Sequence, residues 1–378
     1  MKFYTSVLPY RGRLLVRGVD KDGAQKKYRI NYKPSLFIPT GKESKFKTLD
    51  GRNVAKIKFD SIPEATKWVN EYKNVTNFEY FGNTRHQYPF IAEEFKGKID
   101  WDMNQIKLLS IDIECESENG FPSPEKADQP LICITVKDHT SKLIIVFGMG
   151  NFVNDREDVQ YINCSSETHL VETFTKFWVE YNPDIITGWN VKFFDIPYLM
   201  NRFRYLMGDD WLNQFSPWGV VEQRSAAVLF ASREQQVWNI MGVDTLDYLD
   251  LYRKFTFVRR ESYKLDYIGE VELGQNKLEN PYDTFKEFYQ NDYQRFVEYN
   301  IQDVELVDKL EDKLQLIALH LTMAYEAKVN YQDVFGQVRI WDCIIYHHLR
   351  SKNIVPPAIQ ESKTSSGYEG AYVKDPVV

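Results

Sequence analysis

Two carboxylates two residues apart, Asp112 and Glu114, close an apolar run, Leu108-Leu109-Ser110-Ile111. In an extended chain alternate side chains face opposite ways. Leu109, Ile111 and Ile113 then point into a core, and Ser110, Asp112 and Glu114 point away from it. Neighbouring acids on a buried strand are costly unless something neutralises them. A divalent cation does so, and hard oxygen ligands favour magnesium or manganese. Taken alone, the pair also fits a solvated strand edge.

Two further segments could join it. Asp184-Ile185-Ile186-Thr187-Gly188-Trp189-Asn190 reads as a short buried strand with a turn at Gly188, and Val191-Lys192-Phe193-Phe194-Asp195 leads into a helix starting near Phe193. Asn190 can bond the backbone of such a turn. Asp195 falls in the first helical turn, where the helix dipole favours an anion; a simple helix cap is the alternative. Tyr299 and Asp303 lie four apart in a helical pattern running from about 285 to 321, so they share one face with Leu306 and Leu310.

In order, spacing and context, these segments resemble the exonuclease motifs of the DEDD superfamily as they occur in family B DNA polymerases. The motifs are Asp112-x-Glu114, Asn190-x-x-x-Phe194-Asp195 and Tyr299-x-x-x-Asp303. The tyrosine variant is the one present, because the histidine variant needs a His five residues before the last Asp, where Glu298 stands. Tyr32-x-Pro34-x-x-Phe37 resembles the amino-terminal domain of the same family. Gly120-Phe121-Pro122 and residues 246–252 and 262–267 are most similar to polymerases of T4-like bacteriophages, and residues 370–376 resemble the approach to the palm domain. The later Asp-x-x-Ser-Leu-Tyr-Pro and Asp-Thr-Asp-like palm segments do not occur. The expectation is therefore the amino-terminal, proofreading part of a polymerase, with the polymerase active site absent.

The resemblance implies an α/β fold: a ribonuclease-H-like (DnaQ-like) exonuclease domain with a mixed sheet over residues 105–317. A smaller α+β amino-terminal domain would span 1–104, completed by about 318–366, with the start of the palm at 367–378. The implied activity is that of a 3′→5′ exodeoxyribonuclease releasing 5′-mononucleotides. Two Mg²⁺ (or Mn²⁺) ions, about 3.5–4 Å apart in such centres, would be held by Asp112, Glu114, Asp195 and Asp303. Asp112 would bridge them, Glu114 and Asp303 would serve the water side, and Asp195 would anchor the second ion largely through water. Tyr299, with an ordinary pKa near 10, would orient the attacking water. Phe121, Asn190, Phe194 and Lys277 are the implied substrate-binding residues. Implied partners are a single-stranded DNA 3′ end and the palm, fingers and thumb of the polymerase. RNA is a further candidate ligand for the amino-terminal domain. The implied location is the cytoplasm of an infected bacterial host. A catalytically silent nucleic-acid-binding or replisome scaffold module is the alternative, and a stand-alone RNA-processing exonuclease is a third reading.

The elements that must position these residues can be read as well. Residues 3–7, 14–19 and 36–38 read as strands and 63–72 as a helix. Residues 108–113, 131–136 and 143–147 read as a three-strand meander, 168–181 as a helix and Ile185–Thr187 as a fourth strand. Residues 228–230 and 236–241 read as a hairpin around Ser232-Arg233-Glu234, 340–350 as a helix and 361–370 as a linker. A length of 378 residues suits two or three domains. No apolar stretch is long enough for a membrane span, and no signal-peptide layout opens the chain. Cys115, Cys133, Cys164 and Cys343 form no CxxC pair, so reduced thiols are expected. The net charge of −7 divides unevenly: residues 1–104 hold 20 Lys+Arg and 12 Asp+Glu (+8), and 105–378 hold 27 and 42 (−15). Arg11, Arg13, Lys26, Lys27, Lys42, Lys45 and Lys47 could meet phosphates or simply be solvated.

Overall fold

A computed structural model of the chain describes residues 1–117, 120–227 and 234–358. The amino-terminal part opens with an antiparallel sheet of β1 (Phe3–Tyr10), β2 (Arg13–Val19) and β3 (Gln25–Ile30), in that order. β1 and β2 are rich in aliphatic and aromatic residues and are largely buried, whereas β3, one of the two edge strands, exposes its lysines. A charged edge discourages pairing with other strands. Lys27 of this edge is engaged: its Nζ donates to the Pro217 carbonyl at 2.7 Å and lies 5.7 Å from the Trp218 ring centre. A second hairpin, β4 (Ser35–Pro39) with β5 (Val54–Lys58), precedes α1 (Ile62–Tyr72). Ser61 caps α1 by accepting from the Glu64 amide, and Pro63 sits in its first turn. α2 (Gln87–Glu94) leads to the central sheet.

β6 (Leu108–Cys115), β7 (Leu131–Asp138) and β8 (Ile144–Gly148) form the expected antiparallel meander. β9 (Val159–Asn163) then adds parallel to β8, and this strand was not expected. Its sequence, Val-Gln-Tyr-Ile-Asn, buries only Val159 and carries little periodicity. After α3 (Glu167–Tyr181), β10 (Ile185–Thr187) pairs parallel with β6. α4 (Asp195–Met207), α5 (Asp209–Leu212) and a hairpin of β11 (Val221–Ala227) with β12 (Glu234–Ile240) follow. β13 (Asp244–Thr245) closes the sheet beside β10, giving the order β13-β10-β6-β7-β8-β9. β6 is central and the sheet is mixed, as a ribonuclease-H-like exonuclease domain requires. The strand expected at 228–230, Ser232 and Arg233 of the expected turn, the linker at 361–370 and the palm-like residues 367–378 lie outside the described residues, and Glu234, expected in the turn, instead begins β12.

α6 (Tyr248–Phe255) and α7 (Leu265–Leu273) come next. The single helix expected from about 285 to 321 is instead α8 (Phe285–Asn291), α9 (Tyr293–Leu314) and α10 (Leu316–Ala327). Asp292 breaks the first junction by capping α9, its side chain accepting from the Arg295 amide at 3.1 Å. Gln315 breaks the second in a left-handed conformation, φ +52°. Apolar periodicity continues across both breaks, which hides them in the sequence. α11 (Gln337–Ser351) ends the described helices.

Leu109, Ile111 and Ile113 pack with Phe174, Trp178 and Phe203 of α3 and α4 on one face of the sheet. On the other face Ile132 and Val146 pack with Phe288, Phe296 and Ile301 of α8 and α9. The side chains of Asp112 and Glu114 therefore point toward α9. Residues beyond α9 fold back on the amino-terminal sheet: the Tyr4 hydroxyl donates to the Val329 carbonyl, and the Tyr325 hydroxyl to the Tyr4 carbonyl. Among the described residues no helix is long and apolar enough to cross a membrane.

Candidate active site

Period-two alternation delivers Asp112 and Glu114 to one face of β6, and the four-residue spacing on α9 brings Tyr299 and Asp303 to meet them. One carboxylate oxygen each from Asp112, Glu114 and Asp303 lie within 4.8 Å of one another. Asp195 stands beside this trio rather than in it. It is the first residue of α4, and its Oδ1 accepts from the Ile113 amide at 3.1 Å. The bond ties the start of α4 to the strand between the two other acids.

Burial acts on all four, and repulsion by the other acids adds to it at Asp112, Glu114 and Asp195. Glu114 is pushed up to about 8 by burial and by Asp303. Asp195 rises to about 7 through burial, with Asp247 and Asp303 adding to it. Asp112 is raised well above the carboxylate range by burial, Asp303 and Asp195, and Asp303 is raised by burial. Lys277 is the lysine that meets them. Its Nζ is ion-paired with Asp303 Oδ2 and donates to the Tyr299 hydroxyl at 3.1 Å. Burial would lower the Lys277 ammonium, but Asp303, Tyr299 and Asp112 outweigh that and hold it above its usual range. Tyr299 is pushed up to about 12, chiefly by burial.

The residues present fit a divalent cation. Asp303 Oδ1 is buried without a hydrogen-bond partner, and the converging atoms are all hard carboxylate oxygens. Among the described residues one ammonium, that of Lys277, is paired into this group, which leaves most of the charge unmatched.

The turn between β10 and α4 is built by close approach. A Cβ on Gly188 (φ +150°) would lie 2.5 Å from the Ile111 carbonyl oxygen and 2.4 Å from Val191 Cγ1. Asn190 adopts φ +66°, and its carbonyl accepts from the amides of Phe193 and Phe194. These bonds form the turn, so α4 begins at Asp195, two residues later than expected. Asp247 pins the turn from outside, accepting from the amides of Asn190 and Lys192 at 3.0 and 2.9 Å. Phe121 is 85% exposed, and its ring lies 5.4 Å from that of Phe194.

Asn300 was not among the expected residues. It is fully buried, its Nδ2 donates to Asp112 Oδ2, and its Oδ1 accepts from the Cys133 thiol at 3.5 Å. An amide within a helical pattern gives no sequence signal beyond lying next to Tyr299. Asp247 carried a weak one, in the motif of residues 246–252.

Residues 64–268 match the family described as DNA polymerase family B, exonuclease domain. The match spans Asp112, Glu114 and Asp195, and ends before Tyr299 and Asp303. The chain is 31% identical to the DNA-directed DNA polymerase of Escherichia phage RB69, covering all of this chain and 44% of that protein. It is 29% identical to the DNA-directed DNA polymerase of Enterobacteria phage T4, covering 99% and 44%. It is 28% identical to the DNA polymerase delta catalytic subunit of Caenorhabditis elegans, covering 72% and 26%. The chain thus spans 44% of the length of either phage relative. It belongs to the family B DNA polymerases and carries their exonuclease portion, of the kind found in T4-like phages.

Proposed function

We propose that this chain hydrolyses the 3′-terminal phosphodiester of single-stranded or frayed DNA, releasing 5′-mononucleotides, with Asp112, Glu114, Asp195 and Asp303 holding two Mg²⁺ (or Mn²⁺) ions. The observation that carries the reading is the convergence of Asp112, Glu114 and Asp303, with one Asp303 oxygen left unpartnered. When bound, such ions supply a water of lowered pKa and stabilise charge on the leaving oxygen.

The side chains do the rest. Asn300 fixes one oxygen of Asp112 and leaves the other to face the pocket. Tyr299 stays protonated, so it is no base at neutral pH. Its oxygen accepts from Lys277, which leaves its proton free to orient the attacking water. Phe121 and Phe194 offer aromatic faces on which a terminal base can stack, independent of sequence. The acids are recessed between β6 and α9, so a paired terminus must open to reach them. A mismatched end opens at lower cost, which gives proofreading selectivity without reading bases.

The phage relatives point to an infected bacterial cell as the setting, with palm, fingers and thumb as the partner parts of a longer polymerase. Residues 1–104 and about 318–366 would form one supporting unit beside an exonuclease unit of 105–317. Initial rates on single-stranded, mismatched and fully paired 3′ ends, each with Mg²⁺ and with EDTA, test the function. The expected order is single-stranded, then mismatched, then paired, with none in EDTA. Equal rates on all three ends would refute the proofreading role.

A further inference from the structure

The connection from α6 to α7, residues 256–264, carries features that the reaction above leaves unused. Phe257 is 98% exposed and Val258 58% exposed. Residues 253–264 hold five cations, Arg253, Lys254, Arg259, Arg260 and Lys264, against one acid, Glu261. They do so within a region, 105–378, whose 27 cations and 42 acids leave it at −15.

Three of the five cations hold the loop in place. Lys254 Nζ donates to the Phe335 carbonyl at 3.1 Å, and Arg253 lies over the Tyr263 ring at 4.6 Å. Arg260 donates to the Tyr252 hydroxyl at 2.9 Å and to Glu272 at 2.6 Å. Arg259 and Lys264 are exposed and, among the described residues, have no ion-pair partner. The anchored cations thus hold a loop that carries an exposed aromatic ring, with Arg259 two residues along and Lys264 at its end, neither ion-paired among the described residues.

This loop is tied to the acidic pocket at its carboxyl-terminal end. Trp189, next to Asn190, donates its Nε1 hydrogen to the Tyr263 carbonyl at 3.0 Å. Asp266, two residues past the loop, accepts from the amide of Lys277 at 2.8 Å, and Lys277 in turn reaches Asp303.

We propose that residues 256–264 form a dock for single-stranded DNA, with Phe257 stacking on a base upstream of the 3′ terminus and Arg259 and Lys264 meeting phosphates. The proposal rests on the nuclease reading of the acidic site. Charge selects the occupant: the surrounding acidic body repels a polyanion, and this loop is a local exception. An exposed ring flanked by cations is the arrangement that holds unpaired bases without sequence preference.

The test compares the unmodified chain with Phe257→Ala/Arg259→Ala, and both side chains are solvent-exposed, so the fold should be unaffected. Rates are measured on single strands of about twelve and about three nucleotides, and binding of the longer strand is measured by anisotropy in EDTA. The expected result is an increase of about tenfold in both KM and Kd for the longer strand, with kcat and the short-strand rate unchanged. In Arg259→Ala alone, the slope of log Kd against log salt should shrink by about 0.7. Unchanged binding of the longer strand, or equal losses on both lengths, would overturn the dock. If the unmodified chain degrades neither strand, the nuclease reading fails, and the anisotropy measurement still decides whether the loop binds DNA.

Discussion

Asp112 and Asp303 converge from a strand and a helix that are 188 residues apart at the Asn300–Asp112 contact. Changing either to Ala is expected to lower the hydrolysis rate by on the order of a thousandfold. On the proposed mechanism Tyr299→Phe removes one hydrogen bond to the attacking water and is expected to cost about tenfold, read in kcat. Asn300→Ala leaves the acids in place but frees Asp112 to turn. The expected outcome is an increase of roughly 10- to 100-fold in the Mg²⁺ concentration needed for half-maximal rate. A Mg²⁺ titration of the variant checks it, and an unchanged midpoint would remove Asn300 from the site. The acids were legible in the sequence because their spacing matches the periods of strand and helix. Asn300 and the pairing of Lys277 with Asp303 were not, because both depend on long-range packing that no local pattern encodes.

At the scale of elements, the β10–α4 turn positions Asp195 against β6. Gly188 makes this possible, since any Cβ there would meet the Ile111 carbonyl oxygen. Gly188→Ala is expected to destabilise the fold by about 1–3 kcal/mol, visible as a lower urea midpoint. Activity should fall further than that loss of stability explains, because Asp195 moves with the turn. The meander β6-β7-β8, the strand β10 and the helices α1, α3 and α11 were readable from alternation and helical periodicity. The parallel strand β9 was not, because an edge strand with one buried residue has no distinctive pattern. The breaks at Asp292 and Gln315 are hidden in the sequence because a capping Asp and a left-handed Gln leave the apolar period intact.

Across the whole molecule, Arg17 joins the amino-terminal sheet to the exonuclease sheet. Its Nη2 lies 3.2 Å from Asp184 Oδ1, and both side chains are almost fully buried. Asp184 also accepts from the Thr5 hydroxyl and the Lys107 amide. Arg17→Ala would leave a buried carboxylate short of its cation, at an expected cost of about 3–5 kcal/mol in equilibrium unfolding. The acidic site gives a second prediction at this scale. Glu114, held near 8, and Asp195, near 7, are both raised in the folded chain. Raised carboxylates contribute stability fully below their unfolded pKa and lose it as pH rises through the folded value. The metal-free protein should therefore lose Tm between about pH 5 and about pH 8, and Mg²⁺ should restore more at about pH 8. An equal Mg²⁺ effect at both pH values would contradict this. The charge division between the two parts was visible in the sequence, whereas the partners of individual basic residues, such as Lys27 with Pro217, were not. The most direct measurement is degradation of a 5′-labelled single-stranded oligonucleotide by this chain and by its Asp112→Ala/Glu114→Ala variant, each with Mg²⁺ and with EDTA. The predicted result is a ladder shortening from the 3′ end that requires Mg²⁺ and disappears in the variant. An intact oligonucleotide with the folded, unmodified chain, or a ladder that survives in the variant, would contradict the assignment of these acids as the hydrolytic centre.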